Sequence, residues 1–170
     1  MGTDLPGTAC FAPVIDTWHL LAGDGGELPP DRSFWADRLT DFAGRISVLL
    51  PEDDGRDFFY VIYAGAIVDA GGVDMTGFRV SDFPFAGVRE ALSRCYRSTL
   101  RHGVPEIWRT RHDWRGQLYD YCLLVLPVRH VSSGRTRLHV LIVNTDPRRR
   151  RLYKAGFLPG REILKPDDLR

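Results

Sequence analysis

Residues 118–128 have the sequence LYDYCLLVLPV, which is the most informative segment for the fold of this chain. It is largely apolar at both its odd and its even positions, whereas a strand with one face in water alternates apolar with polar residues. A strand with this pattern has both faces covered. The sequence therefore predicts a sheet with a layer of structure on each side.

Strand patterns continue on both sides of this stretch. Apolar and β-branched residues recur at 106–112 and 137–144, and turn residues around Gly116 and Gly134 separate these segments from the central one. Three strands joined by short turns form an antiparallel meander.

The longest helix is predicted just before this meander. Asp82-Phe83-Pro84 supplies a start signal, and Gly103 with Pro105 supplies the stop. The apolar residues between them keep helical spacing: Phe85, Val88, Ala91, Leu92, Cys95, Tyr96 and Leu100. Upstream, segments 46–50 and 58–64 predict a hairpin with an acidic turn, and 65–82 predicts short helical turns.

Two amphipathic helices are predicted near the N-terminus. The first contains Val14 and Trp18 and stops at Gly23, and Asp31 can cap the second. The apolar stripe of the second helix is Phe34, Trp35, Leu39 and Phe42. We expect these helices, a second copy of the chain, or both, to cover the sheet face that the long helix leaves open.

Composition limits the classes of protein. The chain has 170 residues, is 44% hydrophobic and carries a net charge of +1, so it can bury one core and has no overall field for nucleic acid or anionic membranes. Its three cysteines have no paired spacing, which suits a reducing compartment. With no signal-peptide pattern and no membrane-length apolar run, the sequence predicts a cytoplasmic protein with no membrane partner.

Several short motifs resemble those of a known family. They are Tyr60-Val61-Ile62-Tyr63-Ala64-Gly65, Gly72-Val73-Asp74-Met75-Thr76-Gly77-Phe78, Glu27-Leu28-Pro29-Pro30-Asp31-Arg32 and Leu126-Pro127. In this order, with two strands, short helices, one long helix and three strands, the chain resembles a PAS domain of the small stand-alone bacterial type. Met75 departs from the Leu that is usual there, which is a harmless apolar exchange.

The resemblance implies an α+β fold, in which a five-stranded antiparallel sheet carries helices on one face and the N-terminal helices outside. It implies a sensory or regulatory module that binds a small ligand, forms a homodimer and signals through a partner protein. The matching organisation is an N-terminal helical extension at 1–44, a PAS-like sensor domain at 45–146 and a basic tail at 147–170. The tail is too short for an output domain.

The same resemblance implies a set of ligand-binding residues. One face of the central and last strands would look into a cavity, and on this pattern Arg109 and Arg111 would point inward as well. Two buried guanidiniums would need an anionic partner, which motivates a carboxylate or phosphate ligand. In the alternative, both arginines lie on the open face near Asp113 or Asp120 as solvated pairs. The strand residues predicted to line the cavity are Tyr119, Tyr121, Leu123, Ile142 and Asn144, together with Val125 and Val140.

Other candidate sites carry weaker signals. His102 could bind haem, although a histidine at a helix end is commonly a favourable charge near the C-terminal dipole. The carboxylates Glu52, Asp53 and Asp54 on the hairpin turn are typical of a solvated turn rather than of a metal site. The run Arg148 to Arg151 is read as a solvated linker, since no aromatic platform for nucleic acid accompanies it.

No catalytic motif stands out, and the sequence identifies no cofactor. His112 and Asp113 are neighbours on a strand, so their side chains point to opposite faces and cannot orient each other. We therefore do not predict an enzyme. Two alternatives remain open: a protein-interaction module with a filled core and no ligand, and a small cone-shaped isomerase-like enzyme with Asp120 as its base.

Overall fold

The computed structural model of the protein describes residues 7–23, 25–32, 42–71, 73–83, 85–114 and 117–145. These ranges contain helices α1 (Ala12–Ala22), α2 (Gly65–Gly71) and α3 (Ala86–His102), and strands β1 (Ile46–Glu52), β2 (Asp57–Ile62), β3 (Glu106–Trp114), β4 (Gln117–Arg129) and β5 (Thr136–Asn144). Short 3-10 turns stand at Ala9–Phe11, Asp53–Gly55 and Val80–Asp82. The predicted long helix, hairpin and meander are all present. The predicted second N-terminal helix falls mostly on 33–41, and the basic tail on 147–170, both outside the described residues.

The five strands form one open antiparallel sheet in the order β2-β1-β5-β4-β3. β1 pairs with β5, so the N-terminal hairpin and the C-terminal meander join at the middle of the sheet. The hairpins themselves follow from short turns, because antiparallel neighbours need only a few connecting residues. Together with the helices, this sheet makes the protein an α+β fold.

Helix α3 forms because its sequence buries one stripe and ends at a glycine. Gly103 adopts a φ of 68°, and its N–H donates to the Thr99 carbonyl oxygen at 2.9 Å. Phe85 lies just before the helix and is exposed, so the helix begins one residue later than its apolar pattern suggests. The buried stripe consists of Val88, Leu92, Cys95, Tyr96 and Thr99.

The face of the sheet under α3 packs in an apolar cluster, the larger of two in the described part of the chain. We call this larger cluster the inner core. All five strands contribute to it, β3 through the partly buried Trp108. Its main members are Leu49, Phe58, Tyr60, Met75, Leu92, Tyr96, Tyr121, Leu123, Val125, Leu138, Val140 and Ile142. Fully burying a side chain of this size contributes roughly 1.5–3 kcal/mol, so this cluster dominates the stability of the layer.

The opposite face carries a second cluster, the outer core. Its members are Phe11, Val14, Trp18, Phe42, Ile46, Val48, Cys122, Leu124, Leu126, Val128, Leu141 and Val143. Trp18 of α1 fixes the helix on the sheet, since its indole Nε1 donates to the Pro127 carbonyl oxygen at 2.7 Å. The prediction that both faces of the central strand are covered is confirmed, and α1 supplies one of the covers.

None of the helices in the described part of the chain combines the length and apolarity that crossing a membrane requires.

Candidate functional site

Five of the predicted ligand-lining residues meet in the inner core, namely Tyr121, Leu123, Val125, Val140 and Ile142. Leu123 of β4 and Ile142 of β5 are directly opposite in the strand register, and Tyr121 lies two residues along the same face. They are buried to 2%, 6% and 9% exposure. Tyr119 and Asn144 take part in strands β4 and β5, and their side chains lie outside the described part of the structure.

Two phenols belong to the same cluster as these residues. The hydroxyls of Tyr60, from β2, and Tyr96, from α3, are 3.2 Å apart and form a hydrogen bond in which either can donate. Burial raises the pKa of both groups well above the usual value for tyrosine. Both hydroxyls therefore stay protonated, and the pair is a polar point inside an otherwise apolar layer.

The sequence pattern around these two tyrosines indicates packing only. Tyr60 alternates with Phe58 along β2, and Tyr96 belongs to the buried stripe of α3, so each reads as a core residue. Their contact joins residues 36 positions apart. No local pattern reveals that the two hydroxyls meet.

The predicted inward orientation of Arg109 and Arg111 is wrong. Arg109 is opposite Cys122 in the β3–β4 register, and Cys122 belongs to the outer core. Arg111 is opposite Asp120 and is exposed. Directly opposite residues of an antiparallel pair share a face, so both arginines lie on the face away from Tyr121, where solvent hydrates their charge.

Arg109 is also already paired. Its Nε donates to Asp120 Oδ1 at 2.8 Å and its Nη2 to Oδ2 at 2.6 Å, a two-pronged ion pair that is partly exposed. The pair holds the pKa of Asp120 below its usual value. A general base at Asp120 would need a raised pKa, so the residue lacks the property that the isomerase-like alternative requires.

Glu106, the first residue of β3, accepts four side-chain hydrogen bonds. Its Oε1 accepts from Ser98 Oγ at 3.0 Å and from His102 Nδ1 at 2.6 Å, and its Oε2 accepts from Thr99 Oγ1 and Trp108 Nε1, each at 3.0 Å. Partial burial acts to raise the pKa of Glu106, but these hydrogen bonds outweigh it and the pKa is lowered. The ionised carboxylate ties the end of α3 to the start of β3.

His102 is thereby engaged at the helix end. Its side chain is 51% exposed and its Nδ1 is bonded to Glu106, so it does not project into the inner core. The helix-terminal role suggested as the alternative to haem binding matches this position.

The carboxylates of the acidic hairpin turn do not form a metal site among the described residues. Glu52 pairs with Arg79 at 2.6 Å, while Asp53 and Asp54 are exposed and have positive φ angles. Among the residues that the structure describes, no group of three or more His, Cys, Asp or Glu side chains could hold a metal ion.

A groove lies beside α3, where the β1–β2 turn and the 3-10 turn at Val80–Asp82 approach the helix. Its volume is about 370 Å³. Its walls consist of Arg56, Asp57, Ser81, Arg89, Glu90, Ser93, Arg94 and Arg97. The groove was not predicted, because only the apolar stripe of this helix was used to identify it. Its polar face was visible in the sequence, since Arg89, Ser93 and Arg97 recur every four residues.

No protein-family model matches this chain, and no curated protein matches it significantly. Function has to be inferred from the arrangement of its side chains.

Proposed function

We propose that this chain is a sensory or regulatory module of the PAS type, which binds a small ligand in its interior and acts through a partner protein. The order of elements supports the proposal: two strands, short helical segments, one long helix and three strands. The layering supports it as well, because α3 and the N-terminal helix α1 lie on opposite faces of a five-stranded antiparallel sheet.

The observation that carries ligand binding is the Tyr60–Tyr96 pair beneath α3. Each phenol has one O–H donor, and the bond between the two hydroxyls uses one of them. Within the described residues the other hydroxyl hydrogen has no acceptor. A small ligand with one acceptor atom and an apolar body would satisfy this donor beside Tyr121, Leu123 and Ile142.

A homodimer is part of the proposal. Leu20 of α1 is 81% exposed and its neighbour Leu21 is 37% exposed. Contact between the α1 helices of two copies would remove both side chains from water. The module would then pass its signal to a separate partner protein as a dimer.

The second candidate is a protein-interaction module without a ligand. The favouring observation is that the inner-core side chains Tyr60, Tyr96, Tyr121, Leu123 and Ile142 are all buried to 9% exposure or less and pack on one another. Side chains that fill the layer in this way stabilise it without a bound molecule.

Native mass spectrometry of the purified protein, with an absorption spectrum of the same sample, tests the proposal. We expect extra mass that is lost on denaturation, and a lower occupancy in Tyr96→Phe, which removes one of the two hydroxyls. Trp18→Phe is the control, because it removes a buried hydrogen bond in the outer core and leaves the phenol pair intact.

The outcomes separate the two candidates. Extra mass that depends on Tyr96 supports a ligand-binding sensor. The value of that mass and the absorption spectrum then narrow the class of ligand. Protein that carries no extra mass in either sample favours the interaction module, and equal losses in both variants would show that the phenol pair does not hold the ligand.

A further inference from the structure

The groove outside α3 has the composition of an anion-binding site. Four of its eight lining residues are arginines and two are carboxylates, so its net formal charge is +2. The lining also includes the hydroxyls of Ser81 and Ser93. Anions are attracted by such an excess of guanidinium groups, which present planar pairs of N–H donors that match phosphate oxygens.

The spacing of the groups on α3 gives the site its length. Arg89, Ser93 and Arg97 are four residues apart and lie in one line along the helix, and Arg94 lies beside them. Eight residues of helix correspond to a rise of about 12 Å. Basic groups therefore follow the groove from one end to the other rather than meeting at one point.

Neutral partners orient three of the four arginines. Arg97 Nη2 donates to the Arg56 carbonyl oxygen at 2.7 Å, Arg89 Nη1 donates to the Phe83 carbonyl oxygen at 2.6 Å, and Arg56 Nε donates to the Asp53 carbonyl oxygen at 3.1 Å. A carbonyl fixes a guanidinium without cancelling its charge, and each guanidinium keeps further N–H donors for a ligand.

Ion pairs within the described residues do not occupy these arginines. In the part of the chain that the structure describes, none of the four forms an ion pair, whereas Arg79 and Arg109 are paired with Glu52 and Asp120. The Asp57 carboxylate in the wall accepts hydrogen bonds from the backbone N–H groups of Phe58 and Ser81, so it holds the wall together.

We propose that this groove binds a small molecule that carries a chain of two or three phosphate groups. Its volume falls in the range of roughly 300–1,000 Å³ that is common for small-molecule sites, and its row of arginines suits several linked anionic groups better than a single carboxylate. The groove opens at the flank of α3, beside the β1–β2 turn and Ser81, and none of its lining residues belongs to the inner core. It is therefore a separate site from the interior one, and either proposal can fail alone.

Calorimetric titration of the full chain with sodium tripolyphosphate, in a phosphate-free buffer, tests this site. We expect saturable binding by the wild-type protein and a loss of affinity of about tenfold or more in Arg94→Gln. Arg94 is exposed and makes no hydrogen bond within the described residues, so this variant should keep its unfolding temperature. Arg101→Gln is the matched control, because it makes the same charge change on the same helix outside the groove.

Two results would overturn the assignment. One is the absence of binding by the wild-type protein, and the other is an equal loss in Arg94→Gln and Arg101→Gln, which would mean that only the general positive charge of α3 is felt. Adenosine triphosphate provides a further comparison: tighter binding than tripolyphosphate assigns the site to nucleotides, and equal binding assigns it to the phosphate chain itself. Binding of a phosphoserine peptide without binding of tripolyphosphate is a case of the first result, and it would assign the groove to a phosphorylated protein instead.

Discussion

Among single residues, Tyr60 and Tyr96 stabilise the inner core by hydrogen bonding each other's buried hydroxyl. Tyr96→Phe leaves the Tyr60 hydroxyl buried without its partner, so we expect the free energy of unfolding to fall by about 1–3 kcal/mol. The double variant Y60F/Y96F should lose less than the sum of the single losses, because the two hydroxyls are lost as a unit. Urea unfolding of the four proteins measures this coupling, and additive losses would contradict it.

His139, in the middle of β5, is one group that makes the stability of the protein depend on pH. It is 1% exposed, opposite Leu126 on one side and Val48 on the other, and burial lowers its pKa from 6.5 to about 4. The unfolded chain takes up this proton near pH 6.5 and the folded chain only near pH 4. Above pH 6.5 the histidine is neutral in both states and the stability is therefore fully present. As the pH falls from 6.5 toward 4, protonation of His139 in the unfolded chain lowers the free energy of unfolding by up to roughly 3 kcal/mol.

His139→Leu should remove this part of the acid sensitivity. We expect the variant to keep more of its neutral-pH stability than the wild-type protein when both are unfolded thermally at a series of pH values between about 7 and 4.5. His19→Gln is the control, because His19 is an exposed histidine on α1. If the wild-type protein and His139→Leu lost stability in parallel, protonation of other groups would have to explain the acid response.

At the scale of elements, the β1–β2 turn meets α3 at a position that has no room for a side chain. Gly55 has a φ of 81°, and a Cβ there would lie 2.6 Å from Leu100 Cδ2. Gly55→Ala must therefore both adopt a left-handed backbone and displace Leu100, and we expect a loss of about 1–3 kcal/mol in the free energy of unfolding. Gly134→Ala isolates the backbone part of this cost, since Gly134 has a φ of 68° in open space. Equal losses in chemical denaturation would show that the contact with Leu100 is unimportant.

The elements themselves were predictable because each leaves a local pattern. The buried stripe and the terminal Gly103 identified α3, and the unbroken apolar character of 118–128 identified a strand covered on both faces. The orientation of Arg109 was not predictable, because successive strand residues face opposite sides and a shift of one residue reverses them all. The register that places Arg109 opposite Cys122 depends on the turn between β3 and β4.

The two candidate sites were predictable to different degrees, for a similar reason. Tyr121, Leu123 and Ile142 could be assigned to one face from strand alternation combined with the resemblance. The groove could not, because Arg56 and Ser81 reach α3 from segments far away in sequence. The four-residue spacing of Arg89, Ser93 and Arg97 was visible, but only the fold shows which surface stands opposite it.

At the scale of the whole molecule, α1 closes the outer core, and the size of its contribution can be tested by removing it. Phe11, Val14 and Trp18 are buried to 0%, 2% and 4% exposure. At roughly 1.5–3 kcal/mol for each buried side chain, the helix and its preceding turn contribute at most about 5–9 kcal/mol, which is comparable with the whole stability of a typical domain.

A chain that begins at Gly25 should therefore be only marginally folded. It would expose Val48, Leu126 and Leu141, so we expect a much lower unfolding temperature and increased binding of an apolar fluorescent dye. Trp18→Phe is the milder companion variant: it keeps an aromatic ring in the outer core, but it loses the hydrogen bond to Pro127 and part of the buried ring volume, at a cost of about 1–3 kcal/mol. A shortened chain that is monomeric, unfolds at the wild-type temperature and binds no dye would mean that the sheet does not need α1. If the shortened chain instead formed a tight dimer of unchanged stability, a second copy would have taken the place of the helix. A second copy is the other structure that the sequence predicts could cover this face of the sheet.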